Sequence, residues 1–172
     1  LQAPVHPKDA TAVYEIGAQE SDENKDILAL GWVFGRFDEP EKVLAASALA
    51  QVLCGSNEAP LKKARLEQGL AEDVQLQVQD GIQQCFAQLI VRNTDVGKKE
   101  QILSIIRQVL EQQAQGGLDH SRIAAVLNKL EFSARALEYS RMPQGIVLSI
   151  KSLESWLYGG DPAQNLQCGE QF

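Results

Sequence analysis

The sequence predicts the α+β fold class, with an antiparallel sheet and helices packed on one of its faces. A strictly alternating segment, "DVQLQVQ", is followed by the hairpin signal Asp80-Gly81 and a second apolar segment. A hairpin makes its two strands antiparallel. Several longer segments repeat apolar residues at helical spacing, and amphipathic helices of this kind cover a sheet face. The predicted order is ββαα followed by ββααα.

The first part of the chain is predicted to hold two strands and a capped helix. The strands are "TAVYEIGAQ" (11–19) and "DILALGWVFG" (26–35), the second being nearly continuously apolar, as expected when both faces are covered. Asp38 is expected to cap the helix, because Pro40 falls in its first turn and Glu41 completes an Asp-x-x-Glu box. Gly55 is expected to end it. The predicted apolar stripe consists of Leu44, Ala48, Leu49, Val52 and Leu53.

The middle of the chain is predicted to be a short helix followed by a β-hairpin. Pro60 starts the helix and Gly69 ends it. The hairpin has a two-residue loop, Asp80-Gly81, and "QQCFAQLIVR" (83–92) as its returning strand. Alternation in the first strand places Val74, Leu76 and Val78 on one face and Gln75, Gln77 and Gln79 on the other.

Three amphipathic helices are predicted to close the chain. The first ends at Gly116-Gly117, Asp119 caps the second, and Pro143 breaks the chain before the third. Their predicted apolar stripes are Ile102, Ile105, Ile106, Val109 and Leu110 for the first; Ile123, Val126, Leu127, Leu130, Ala134 and Leu137 for the second; and Ile146, Ile150, Leu153 and Leu157 for the third.

Composition and length indicate one domain and exclude some classes of partner. With 172 residues the chain is long enough to bury a core, and its net charge of −7 argues against a nucleic-acid partner. No apolar run approaches a membrane span, so no membrane partner is expected. The chain does not begin with Met, which suggests a fragment of a longer protein, with residues 1–10 as a flexible tail and 163–172 as a linker.

The sequence contains no pattern typical of a catalytic or metal site. Cys54, Cys85 and Cys168 lack CxxC spacing and are interpreted as reduced thiols of an intracellular protein. His6 and His120 are the only histidines, too few for a zinc site without a cysteine cluster. No catalytic residue, no metal ligand and no cofactor are therefore assigned to this chain.

Three ordered segments resemble one enzyme family. "GSNEAPLKKARLEQGLAEDV" is similar to the turn, short basic helix and strand of the insulinase-like (pitrilysin) zinc metallopeptidases. "RIAAVLNKLEFSAR" (122–135) and "MPQGIVLSIKSLESWLYGGDP" (142–162) are similar to two helices of the presequence-protease branch of that family. The "RALEYSRMP" connection departs from members that carry an Asn/Thr/Gly-rich loop there.

The resemblance implies an insulinase-like α+β domain, the second domain of the N-terminal half of a two-half enzyme. In that family the zinc motif His-x-x-Glu-His lies in the first domain. The implied function is that of a non-catalytic chamber-wall domain in a zinc metalloendopeptidase that degrades short, unstructured peptides. Its implied partners are the other domains of the same chain and the peptide substrate, in a bacterial cytoplasm or an organelle matrix.

Two further readings stay open. The parent could be a family member without zinc that acts as a structural or peptide-binding subunit, or the chain could be a free-standing interaction domain. If any surface meets peptide, the polar strand face of Gln75, Gln77 and Gln79 is the candidate; the alternative is an ordinary solvated sheet face.

Overall fold

The computed structural model describes residues 8–136 and 142–166, as one three-stranded sheet and five α-helices. Short 3₁₀ turns lie at Val96–Lys98 and Gln164–Leu166. In chain order the strands and helices are β1 (Asp26–Arg36), α1 (Pro40–Cys54), α2 (Pro60–Gln68), β2 (Ala71–Gln79), β3 (Gln84–Thr94), α3 (Lys99–Gly116), α4 (His120–Ala136) and α5 (Gln144–Trp156).

The sheet has the strand order β1-β3-β2, and both strand pairs are antiparallel. Leu89, at the centre of β3, is opposite Leu30 of β1 and Leu76 of β2. These residues lie on one face because side chains alternate along a strand and register sets which ones meet. The α+β fold class is therefore confirmed.

The hydrophobic core lies between this face of the sheet and helices α1, α2 and α3. Helix α3 contributes through one side, as its apolar spacing predicts, whereas the second half of α1 is buried on several sides because it lies between the sheet and α4. The core consists of Leu53, Cys54, Leu61, Val74, Leu89, Val91, Ile102, Ile106 and Val109. Helix α4 packs against α1 as an outer layer.

The predicted strand at residues 11–19 is wrong. This segment has irregular structure and exposed side chains, and the Tyr14 hydroxyl donates a hydrogen bond to the Lys25 carbonyl. An alternating pattern forms a strand only where a partner supplies the ladder hydrogen bonds. Among the described residues, β1 pairs only with β3, and its other edge forms no ladder with residues 11–19. The first ββ pair of the predicted order is therefore the single strand β1.

Two local predictions about turns are also wrong in detail. Glu39, not Asp38, precedes α1, and its carboxylate accepts the Arg36 backbone N–H at 3.0 Å instead of capping the helix. The hairpin loop is longer than two residues: β2 ends at Gln79 and β3 begins at Gln84, but the first β2–β3 pair joins Gln79 to Phe86, so 80–85 are unpaired between these two strands. Asp119, in contrast, is confirmed as a cap, since its Oδ1 accepts the Ser121 N–H at 2.8 Å.

Each of the four predicted apolar stripes includes exposed residues, among them Leu110 in α3 and Leu127 in α4. In α1, Leu53 is buried and Leu49 is exposed. In α5 every residue of the stripe is exposed. Leu137 of the α4 stripe lies outside the described residues, as do most of the proposed tail and linker, so those boundaries stay predictions.

Candidate functional site

The face of the sheet opposite the helices, here called the open face, carries the candidate glutamines. Strand alternation and register place residues from all three strands on it. Its members are Ile27, Ala29, Gly31 and Val33 from β1, Asp73, Gln75, Gln77 and Gln79 from β2, and Phe86, Gln88, Ile90 and Arg92 from β3.

A chain of side-chain hydrogen bonds, here called the amide ladder, crosses this face. Gln88 donates from Nε2 to Oε1 of Gln77 at 3.1 Å, across the β2–β3 pair. Gln77 donates to Oε1 of Gln75 at 3.0 Å, and Gln75 donates to Oδ2 of Asp73 at 2.7 Å. All donors therefore point towards the carboxylate of Asp73, an arrangement in which successive hydrogen bonds polarise one another.

Lys62 of α2 completes the ladder, with its Nζ 3.4 Å from Oδ1 of Asp73. Burial by itself raises the pKa of the Asp73 carboxyl. The hydrogen bond from Gln75 and the charge of Lys62 outweigh that effect, so the pKa lies below its ordinary value. The carboxylate that receives the ladder is therefore ionised at neutral pH.

An apolar strip borders the ladder on the same face. Phe86 is half-buried and Ile90 is buried, whereas Ile27 and Val33 on β1 are exposed. The open face thus presents amide groups next to apolar side chains. Such a surface can take up an extended chain through hydrogen bonds and apolar contact. The carboxylate of Asp73 on this face is engaged by Gln75 and Lys62.

The structure brings together only some of the predicted residues. Gln75 and Gln77 are half-buried members of the ladder, whereas Gln79 is exposed beyond its end. Sequence reasoning missed Asp73, Gln88 and Lys62. Alternation along "QCFAQLIVR" carried a signal for Gln88, since it puts this residue on the same face as Phe86 and Ile90.

The two described cysteines are poor nucleophiles. Burial raises the pKa of Cys54 to about 11, and burial with the nearby charge of Asp80 raises the pKa of Cys85.

Within residues 8–136 and 142–166, no cluster of three or more His, Cys, Asp or Glu side chains could hold a metal ion. The same residues include no helix long and apolar enough to cross a bilayer.

Comparison with known proteins identifies the family. Residues 3–130 match the family model described as the peptidase M16 inactive domain. The chain is 31% identical to protein HypA of Clostridium perfringens over 160 residues, which cover 93% of this chain and 16% of that protein. It is 26% identical to the chloroplastic/mitochondrial presequence protease 1 of Arabidopsis thaliana over 161 residues, covering 91% of this chain and 15% of that protein.

Solved structures agree on the fold. An inactive peptidase domain from Bordetella parapertussis superposes with a TM-score of 0.69 at 15% identity, covering 84% of this chain and 76% of that one. A peptidase M16 inactive domain from Pseudomonas fluorescens gives a TM-score of 0.55 at 16% identity, covering 85% and 34%. The chain spans about one sixth of the length of the curated relatives that it matches. It belongs to the peptidase M16 family, in which it is an inactive domain.

Proposed function

We propose that this chain is a non-catalytic wall domain of a zinc metalloendopeptidase that degrades short, unstructured peptides. In this proposal it corresponds to the second domain of the enzyme's N-terminal half. The open face borders the peptide chamber, the helices form the outer layer, and the zinc lies in another domain of the same polypeptide. The compartment is intracellular, either an organelle matrix or a bacterial cytoplasm.

The observation that carries the proposal is the composition of the open face. Val33 and Ile27 expose apolar side chains beside the amides of Gln75, Gln77 and Gln88. An unfolded peptide offers mixed apolar and polar side chains and unpaired backbone groups, and a surface of this kind accepts such a ligand without selecting a fixed sequence. The relatives named presequence proteases support the assignment of an unstructured peptide as substrate.

The test uses the full-length protein that contains this chain, with Gln79→Lys as the probe. Gln79 is exposed at the border of the open face and lies outside the ladder. An added cation there should raise KM for a basic unstructured peptide by roughly threefold, as expected for a unit charge at a solvated site. KM for an acidic peptide of the same length should not rise.

Gln112→Lys is the matched control, because Gln112 is exposed on α3 on the other side of the molecule. If both variants change the two KM values equally, the open face does not meet substrate. Removing zinc with a chelator should abolish cleavage, and returned zinc should restore it. A full-length protein that binds peptide tightly yet never cleaves it, with or without zinc, would favour the peptide-binding subunit instead.

A further inference from the structure

Helix α5 carries a row of aliphatic side chains that the described part of the chain leaves 40–70% exposed. Ile146, Ile150, Leu153 and Leu157, here called the α5 seam, are 51%, 41%, 40% and 70% exposed. Leu157 follows the last residue of α5 and keeps helical backbone geometry. Four large aliphatic side chains in one row form a contiguous apolar patch, unlike the scattered apolar residues of an ordinary surface.

The seam faces away from the domain while the more polar side of α5 faces inward. Ser155 is fully buried, and at 100° per residue it lies about 180° around the helix from Ile146. Glu154 lies about 40° from Ile150 around the helix and borders the seam, and its side chain lies next to the backbone of Gly81 in the hairpin loop. A helix at the surface of a complete globular protein shows the reverse arrangement, with its apolar stripe inward.

The spacing of the seam fits another helix. Its residues are separated by four, three and four positions, which is the d-a-d-a pattern of a heptad. A stripe of two residues per heptad is narrow and suits a single helix packed lengthwise. The residues at the flanking positions are Val147, Ser149, Glu154 and Trp156, so a single charge borders the seam, fewer than the paired flanking charges that separate chains use to select one another.

The size of the seam favours a tethered partner over a separate one. Four partly exposed aliphatic side chains bury much less area than the interface of a stable complex between separate proteins. Separate molecules also lose translational and rotational freedom when they associate, a cost that so small a contact does not offset. A helix in the same polypeptide avoids most of that cost.

This chain covers only 15–16% of the length of these curated relatives, so a protein of their length has enough further polypeptide to contain such a helix. We propose that the α5 seam is the docking site for a helix from another part of the same polypeptide. The inference does not depend on catalysis or on the open face.

Thiol labelling of the full-length protein tests the proposal, with Ile150→Cys and Leu153→Cys as probes. Leu49→Cys is the matched control, since Leu49 is 41% exposed on α1, and Gln112→Cys is the fully solvated reference. The rate of alkylation at each new cysteine is read peptide by peptide by mass spectrometry, without peptide substrate or added zinc. Circular dichroism and the thermal midpoint verify that each variant is folded.

The seam cysteines should react at least about tenfold more slowly than Cys at position 112 in the folded protein, and equally fast in denaturant. Equal rates in the folded protein would overturn the proposal. Protection that disappears on dilution, together with a fall in mass from dimer to monomer, would also overturn it and assign the seam to a second copy. Neither labelling result would affect the proposal that the open face borders the peptide chamber, because that proposal is tested by the KM values of the Gln79→Lys variant.

Discussion

At the scale of single residues, Gly69 shows most directly how the sequence determines the path of the chain. It ends α2 with a φ of 60°, which turns the chain into β2. A side chain in this left-handed region has its Cβ too close to the following carbonyl. The position of Gly69 after a short helical segment predicted this stop, and the structure confirms it.

Gly69→Ala should destabilise the 172-residue chain by about 1 kcal/mol. A Cβ at this position would meet nothing within 4 Å, so the loss is conformational and not steric. Gly116→Ala is the control. Its Cβ also meets nothing within 4 Å, but Gly116 is the last residue of α3 and does not have a positive φ, so Ala should stabilise by roughly 0.5 kcal/mol there. Urea denaturation measures both; a loss of stability in both variants, or in neither, would contradict this account.

At the scale of elements, the alternation of apolar and polar residues predicted the correct sheet face for each side chain of the hairpin. The predicted two-residue loop, in contrast, gave the wrong cross-strand partners. A two-residue loop would pair Gln79 with Ile82 and Gln77 with Gln84, whereas the observed partners are Phe86 and Gln88. The four-residue shift is even, so every side chain keeps its predicted face. Gln84 and Cys85 at the start of β3 pair with the end of β1 and not with β2, a long-range contact that no local pattern encodes.

The amide ladder provides the test at this scale. Gln77→Ala removes both an acceptor for Gln88 and a donor to Gln75, so it should cost about 0.5–1.5 kcal/mol at neutral pH. Gln79→Ala, two residues along β2 and exposed, should change stability by less than about 0.5 kcal/mol. Because the pKa of Asp73 is lowered in the fold, its stabilising contribution is present above the ordinary carboxyl pKa and lost as pH falls through the folded pKa.

Stability of the two variants in urea at pH 7 and again in acid measures this difference. The gap between Gln77→Ala and Gln79→Ala should narrow in acid, as Asp73 becomes protonated and the ladder loses its anionic end. An equal cost for both variants at pH 7 would mean that the ladder amides exchange freely with water.

At the scale of the whole molecule, periodicity tells which side of an element is apolar but not what covers it. The segment at 11–19 has a strand-like pattern and no strand partner among the described residues, and the α5 seam has a helical pattern and no cover there. Both have the same physical cause. An apolar pattern shows which side chains need to be buried, but the element that covers them is determined by the rest of the fold. Around α1, in contrast, other elements of this chain bury the apolar side chains.

Helix α1 offers a matched pair of leucines that separates these two situations. Leu53 is 2% exposed in the core cluster, while Leu49, one turn earlier on the same helix, is 41% exposed. Leu53→Ala should destabilise the chain by about 2–5 kcal/mol, since it removes buried methyl groups and leaves a cavity against the sheet. Leu49→Ala should cost less than about 1 kcal/mol. The two substitutions are chemically identical, so helix propensity cancels and the difference in urea midpoint measures burial alone. Equal losses would mean that α1 is rotated about its axis relative to the sheet, with Leu49 in the core.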